Sequence, residues 1–208
     1  MSDPKKRAVY TVLELAVLFV LLPVFYWLDW IPVHKIIPLL ALFLYCSIVL
    51  VRKGEITARD FSWKGNWSLV IIRFVLAGAA ILLYILWFTD YNVWADFDSN
   101  RKLLHMVLMY PLLSALPQEL IFRKFFLYRY ASLIPNSRSM IVVNAVFFSF
   151  AHIYFSSPLV LIFTFLGGLI FSMTYLKSKS LLVVTIEHTL YGLLILTSGL
   201  SDVFYKAF

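Results

Sequence analysis

The sequence predicts an all-α, polytopic membrane protein with seven or eight transmembrane helices. Three observations predict it. The chain of 208 residues is 62% hydrophobic and 18% aromatic, with a mean hydropathy of +0.88, whereas a soluble domain is about 45–50% apolar. Several apolar runs approach the ~20 residues that cross a bilayer at ~1.5 Å rise each. The positive residues cluster at the ends of those runs, which is how membrane topology is written.

Each element follows in order. Apolar segments run over about 9–28, 36–51, 68–89, 103–117, 139–156, 158–176 and 180–200. The first is too long for a cleavable signal peptide, and no small-residue cleavage pattern follows it. Between the fourth and fifth lies ELIFRKFFLYRYA, about 119–131. Its mix of aromatics with Arg123, Lys124 and Arg129 predicts an interfacial or partly dipping helix, which becomes an eighth crossing if it dips deeply. The acidic outer loop TDYNVWADFDSN carries Trp94 in an interfacial belt. The chain divides into N-terminal spans over 1–102 and a core over 103–200, within one structural domain.

With the N-terminus in the cytoplasm, thirteen Lys and Arg fall inside and four (Lys35, Arg101, Lys102 and Lys206) outside, with Arg73 within a span. The expected location is the plasma or inner membrane, multi-pass. The net charge of +7 therefore reflects topology, and no nucleic-acid partner is expected. No P-loop or dinucleotide fingerprint occurs, and Gly167–Gly168 reads as close helix packing. Cys46 is the sole cysteine, which excludes an internal disulfide.

Ionisable groups inside spans face a bundle interior or a wet cavity and tend to mark function. Glu14 and Arg73 read as interhelical pairs or interfacial snorkels, and His105 as a wet residue near a span end. The rest form three groups. In SALPQELIFRKFF, Glu119 and Arg123 are four apart and can pair on one helical face. Pro117 just before them removes a backbone donor and can kink the helix. In NAVFFSFAHIYF, Asn144, Phe148 and His152 recur every four residues and share a face. In TIEHTLYGLL, His188 has Glu187 and Tyr191 as neighbours, and an Glu-His pair halfway along a span is hard to explain as packing. Counted from the basic helix edges, Glu119, His152 and His188 lie roughly 15, 21 and 13 Å deep. That is close enough to one level to predict a shared polar chamber, expected to open to the cytoplasmic side.

These motifs resemble the CPBP family, the CAAX-protease-like and bacteriocin-processing (Abi) intramembrane proteases that include the type II CAAX prenyl endopeptidases. The family pattern is Glu-Glu-x-x-x-Arg, Phe-x-x-x-His and His-x-x-x-Asn or Asp on successive helices. Here it reads Gln118-Glu119-x-x-x-Arg123, Phe148-x-x-x-His152 and His188-x-x-x-Gly192. The likeness covers about residues 103–200. It implies an intramembrane endopeptidase, a hydrolase acting on a membrane-associated peptide or protein. It assigns Glu119, Arg123, His152 and His188 to catalysis, with Phe148 in the substrate pocket. Two positions depart from the pattern. Gln118 stands where the family's glutamate activates water, and Gly192 where Asn or Asp helps to hold the oxyanion.

A neutral Gln118 can orient water but cannot take its proton. The candidate bases are Glu119, Glu187 and His152, with His188 stabilising the tetrahedral intermediate. Asn144, Tyr191 or a water would stand in at Gly192. No cofactor is expected. Zinc held by His152 and His188 with Glu119 is the metal alternative. Two other functions compete with hydrolysis. One is a catalytically silent relative, altered at Gln118 and Gly192, that binds peptides or serves immunity or scaffolding. The other is a proton-coupled transporter, since intramembrane His and Glu also serve transport.

Overall fold

The computed structural model describes residues 4–88 and 107–197. His105, Arg101, Lys102, Lys206 and the acidic loop 89–100 lie outside the described residues. Seven helical rods make up the fold, with no strand among the described residues. The first, α1, runs through Pro4–Ala16, Val17–Leu21 and Leu22–Trp27. It is followed by α2 (Ile36–Arg52) and α3 (Trp67–Phe88). Next, α4 extends to Arg129 through Pro111–Ala115, Leu116–Glu119, Leu120–Phe125 and Phe126–Arg129. Three further helices complete the bundle: α5 (Ser137–Phe150), α6 (Pro158–Ser178) and α7 (Leu181–Thr197). Three stretches, Lys5–Trp27, Trp67–Trp87 and Pro158–Ser178, are long and apolar enough to cross a membrane. Apolar side chains such as Leu13, Val75, Leu76, Leu86 and Trp87 stand exposed on α1 and α3. In water such a surface costs about 25 cal/mol per Å²; against lipid it costs nothing. The protein is an all-α membrane protein.

The stretch 119–131, expected to be interfacial or partly dipping, is buried within the bundle. It continues α4 without a break and is the most deeply buried part of the bundle. Ile121, Arg123, Phe125, Phe126 and Tyr130 are all fully inaccessible. Its charges are matched inside the protein, so it has no need of the interface. Arg123 pairs with Glu119, Lys124 with Asp60 and Arg129 with Glu14. The last pair also explains Glu14 as an interhelical partner.

Proline shapes the two irregular rods. Pro117 cannot donate to the ladder, and α4 answers with π turns on either side of it, over Pro111–Ala115 and Leu120–Phe125. In α1 the π turn Val17–Leu21 precedes Pro23. Phe19 leaves that turn into the core, edge-on to Phe122, Phe126 and Tyr130 at 5.0–5.7 Å. Rings in this geometry gain about 0.5–1.5 kcal/mol per pair beyond their burial. At Gly168 a Cβ would stand 2.8 Å from the Ala145 backbone. Glycine there lets α5 and α6 close on each other, which is the packing role read from the glycine pair.

The two ends of the bundle differ. At one end the loop after α2 meets the ends of α4 and α6. Ser180 Oγ donates to the Ser62 carbonyl at 2.6 Å, and Lys124 reaches Asp60 at 2.9 Å. This is the basic end, where Arg52, Lys53, Arg138, Lys177 and Lys179 also lie. At the other end the loop after α1 meets the loop after α5. Trp27 Nε1 donates to Ser156 Oγ at 3.1 Å, and Tyr26 packs on Tyr154 at 4.8 Å.

Candidate active site

The site is built where α4, α5, α6 and α7 converge. On α4, the single turn between the two π turns presents Gln118 and Glu119. Glu119 is fully buried, and its two oxygens are divided between partners. Oε1 is 2.7 Å from His188 Nδ1 on α7, and Oε2 is 3.0 Å from Arg123 Nε. The carboxylate therefore ties α4 to α7 and fixes the orientation of the His188 ring.

Arg123 is held from three directions. Its guanidinium donates to Asn144 Oδ1 on α5, lies over the Phe148 ring at 4.7 Å and faces the Phe171 ring at 5.8 Å. Asn144 donates through Nδ2 to the Phe122 carbonyl at 2.8 Å, and Ser172 Oγ lies 2.9 Å from its Oδ1. An uncompensated buried guanidinium is expensive. Here a carboxylate, an amide and two ring faces surround it.

The two imidazoles flank Phe148, at centroid distances of 5.0 Å for His152 and 5.8 Å for His188. His188 also stacks on Phe171 at 4.7 Å. His152 lies just past the end of α5, and its Nδ1 is 2.7 Å from the Phe148 carbonyl. A carbonyl can only accept, so this contact assigns the proton to Nδ1 and leaves Nε2 as the basic nitrogen. Glu119 likewise accepts from His188 Nδ1.

Both histidines line a chamber of about 820 Å³, together with Gln118, Tyr110, Tyr191 and Gly192. Most of the remaining wall is apolar. Gln118 donates to Ser114 Oγ at 2.9 Å, while its Oε1 is buried without a partner and can accept from a water. Lys35 also lines the chamber; burial pulls its ammonium down to about 8, and its Nζ lies 5.1 Å from the Phe155 ring centre.

The structure brings together Gln118, Glu119, Arg123, Asn144, Phe148, His152, His188 and Tyr191, but not all of them face the chamber. Asn144 is not in the wall; it lies beneath it and anchors Arg123. Glu187 lies apart from the chamber wall. It is fully buried and turned toward Arg73 of α3 at 3.7 Å, off the chamber, because neighbours on a helix point about 100° apart. The same pair explains Arg73. The wall includes His34, Lys35, Tyr154 and Phe155, so the chamber extends toward the end of the bundle away from the basic residues. A depth of roughly 21 Å for His152 already lies beyond the middle of a ~30 Å core. The zinc set does not assemble either. Glu119 is committed to His188 and Arg123, and no three His, Cys, Asp or Glu gather as ligands among the described residues.

One wall residue was not picked out from the sequence. Tyr110 enters the chamber beside His188, at a ring distance of 6.1 Å. Its spacing was the available signal: Tyr110, Ser114 and Gln118 recur every four residues.

Comparison with known proteins agrees with the motif resemblance. Residues 100–194 match the family model described as type II CAAX prenyl endopeptidase Rce1-like. That segment holds Tyr110 and all three motifs, and it leaves the first 99 residues outside the match. No curated protein and no solved structure matches the chain.

Proposed function

From the match of residues 100–194 to a type II CAAX prenyl endopeptidase family model, we propose that this protein is an intramembrane endopeptidase. It hydrolyses a peptide bond in a membrane-associated peptide or protein, using water activated by its own side chains. The observation that carries the reading is the pair of imidazoles on either side of Phe148, each with its Nδ1 engaged and its Nε2 left for chemistry.

Peptide hydrolysis needs a base for water, a donor for the oxyanion and a proton for the leaving amine. His152 Nε2 takes one proton from water, and Gln118 Oε1 accepts a hydrogen bond from the remaining O–H and aims the oxygen. The water oxygen attacks the carbonyl carbon, and the carbonyl oxygen becomes negative. His188, held at Nδ1 by Glu119, donates a hydrogen bond from Nε2 to that oxygen. The His152 imidazolium then returns its proton to the nitrogen as the C–N bond breaks. Glu119 acts through His188, while Arg123 and Asn144 hold Glu119 in place. The apolar wall admits a lipid-embedded chain.

The test is cleavage of a membrane-peptide library by purified protein. His152→Ala and His188→Ala are expected to lower cleavage by at least 10²-fold while the protein still accumulates in membranes. Chelator is expected to leave cleavage unchanged. Full activity in both variants defeats the reading. Peptide binding without any cleavage by the wild type supports the silent relative instead.

A further inference from the structure

We propose that Tyr110 completes the oxyanion site, its phenolic hydroxyl occupying the place of the side chain that Gly192 lacks. The proposal deepens the hydrolytic reading above and rests on it.

The argument starts from the glycine. Gly192 is on α7, one turn after His188, so its missing side chain would point to the same face as the imidazole. A Cβ built on Gly192 would overlap the Tyr110 hydroxyl and the adjoining ring carbons. No side chain fits at 192 while Tyr110 is in place. The glycine is therefore a notch for the phenol, and the space beside His188 is filled from α4 instead of α7.

The substitution preserves chemistry as well as volume. The position calls for a short-range donor next to His188, in a site with little water. A phenol supplies one O–H and, with an ordinary pKa near 10, keeps its proton at neutral pH. Tyr110 lines the same chamber as His188 and Gln118, and its ring meets the His188 ring at 76°. A hydroxyl there can share the developing charge on the carbonyl oxygen with His188 Nε2. No atom is transferred from Tyr110; it donates a hydrogen bond that strengthens as the oxygen becomes negative. Losing one such donor typically lowers turnover 10²–10³-fold.

The experiment compares the wild type with Tyr110→Phe, Tyr110→Ala and Tyr110→Ala/Gly192→Asn on one cleaved peptide, with melting temperature recorded for each. Tyr110→Phe keeps the ring in the notch. It is expected to lose about 10²-fold in kcat, with KM within a few-fold and an unchanged melting temperature. A packing role alone would leave its kcat intact. Tyr110→Ala/Gly192→Asn places an amide in the vacated space and is expected to exceed Tyr110→Ala at least tenfold in kcat. Tyr110→Phe turning over within twofold of wild type overturns this role and leaves the protease reading standing. A double variant no better than Tyr110→Ala also overturns it. A wild type that cleaves nothing overturns the protease reading and this role together.

Discussion

Glu119 and Arg123 are the residues on which the rest of the site depends, and both are fully inaccessible. Removing one partner of a buried ion pair leaves a charge with nothing to offset its desolvation, at a cost of about 3–5 kcal/mol. Arg123→Met is therefore expected to lower stability by about that amount, read as a fall in melting temperature in detergent or as lost accumulation. Glu119→Gln/Arg123→Met removes both charges together, and it is expected to be the more stable of the two variants although it cleaves nothing. A double variant less stable than Arg123→Met refutes the coupling. Spacing in the sequence made this pair legible, because residues four apart share a helical face. It also made His152 and His188 legible. The role of Asn144 was not legible, since its partners, the Phe122 carbonyl and Ser172, lie on other helices. The placement of Glu187 was not legible for the same reason. Its proximity to His188 in sequence said nothing of Arg73, which reaches it from a helix more than a hundred residues earlier in the chain. Tyr110 had a readable spacing, but only the absence of space at Gly192 gives it a purpose.

Two elements, α4 and α6, decide whether the site can assemble. The π turns around Pro117 set the angle at which Gln118 and Glu119 leave α4, and π turns often mark functional positions. Nothing in a residue count distinguishes a π turn from an α turn, which is why depth and direction along α4 could be read only coarsely. The aromatic and basic mixture of 119–131 was read as interfacial for a related reason. Two of its countercharges, Asp60 and Glu14, could not be assigned to it from the sequence. The α5–α6 contact was readable, because small residues permit close approach. Gly168 is the tightest point, against Ala145. Gly168→Val is expected to force the two helices apart and to lower stability by about 1–3 kcal/mol. It is also expected to reduce cleavage, because Ser172, one turn further along α6, contacts Asn144. An unchanged melting temperature would show that α6 can shift without strain.

Seen as a whole, the molecule has a basic end and a chamber end, and they are opposite. The chamber wall is drawn from the second halves of α1 and α3, the first half of α2, α4 from Met109 to Phe122, α6 from Phe163 to Phe171, and the ends of α5 and α7 nearest the Trp27–Ser156 contact. Arg52, Lys53, Arg138, Lys177 and Lys179 lie at the other end, while Lys35 lines the chamber. Lys and Arg near helix ends favour the cytoplasm. The expectation that follows from this rule is a cytoplasmic basic end, with the chamber lying in the outer half of the bundle. A peptide would then be cut after it has reached the outer leaflet. The prediction can be checked without any activity. In a Cys46→Ser background, Val33→Cys reports the chamber end and Arg59→Cys the basic end, and both positions are exposed. A membrane-impermeant maleimide applied to intact cells is expected to label Val33→Cys, and to label Arg59→Cys only after permeabilisation. The reverse pattern would place the chamber in the cytoplasmic half, and the charge asymmetry would then need another explanation, such as attraction of the basic end to an anionic surface on the outer side.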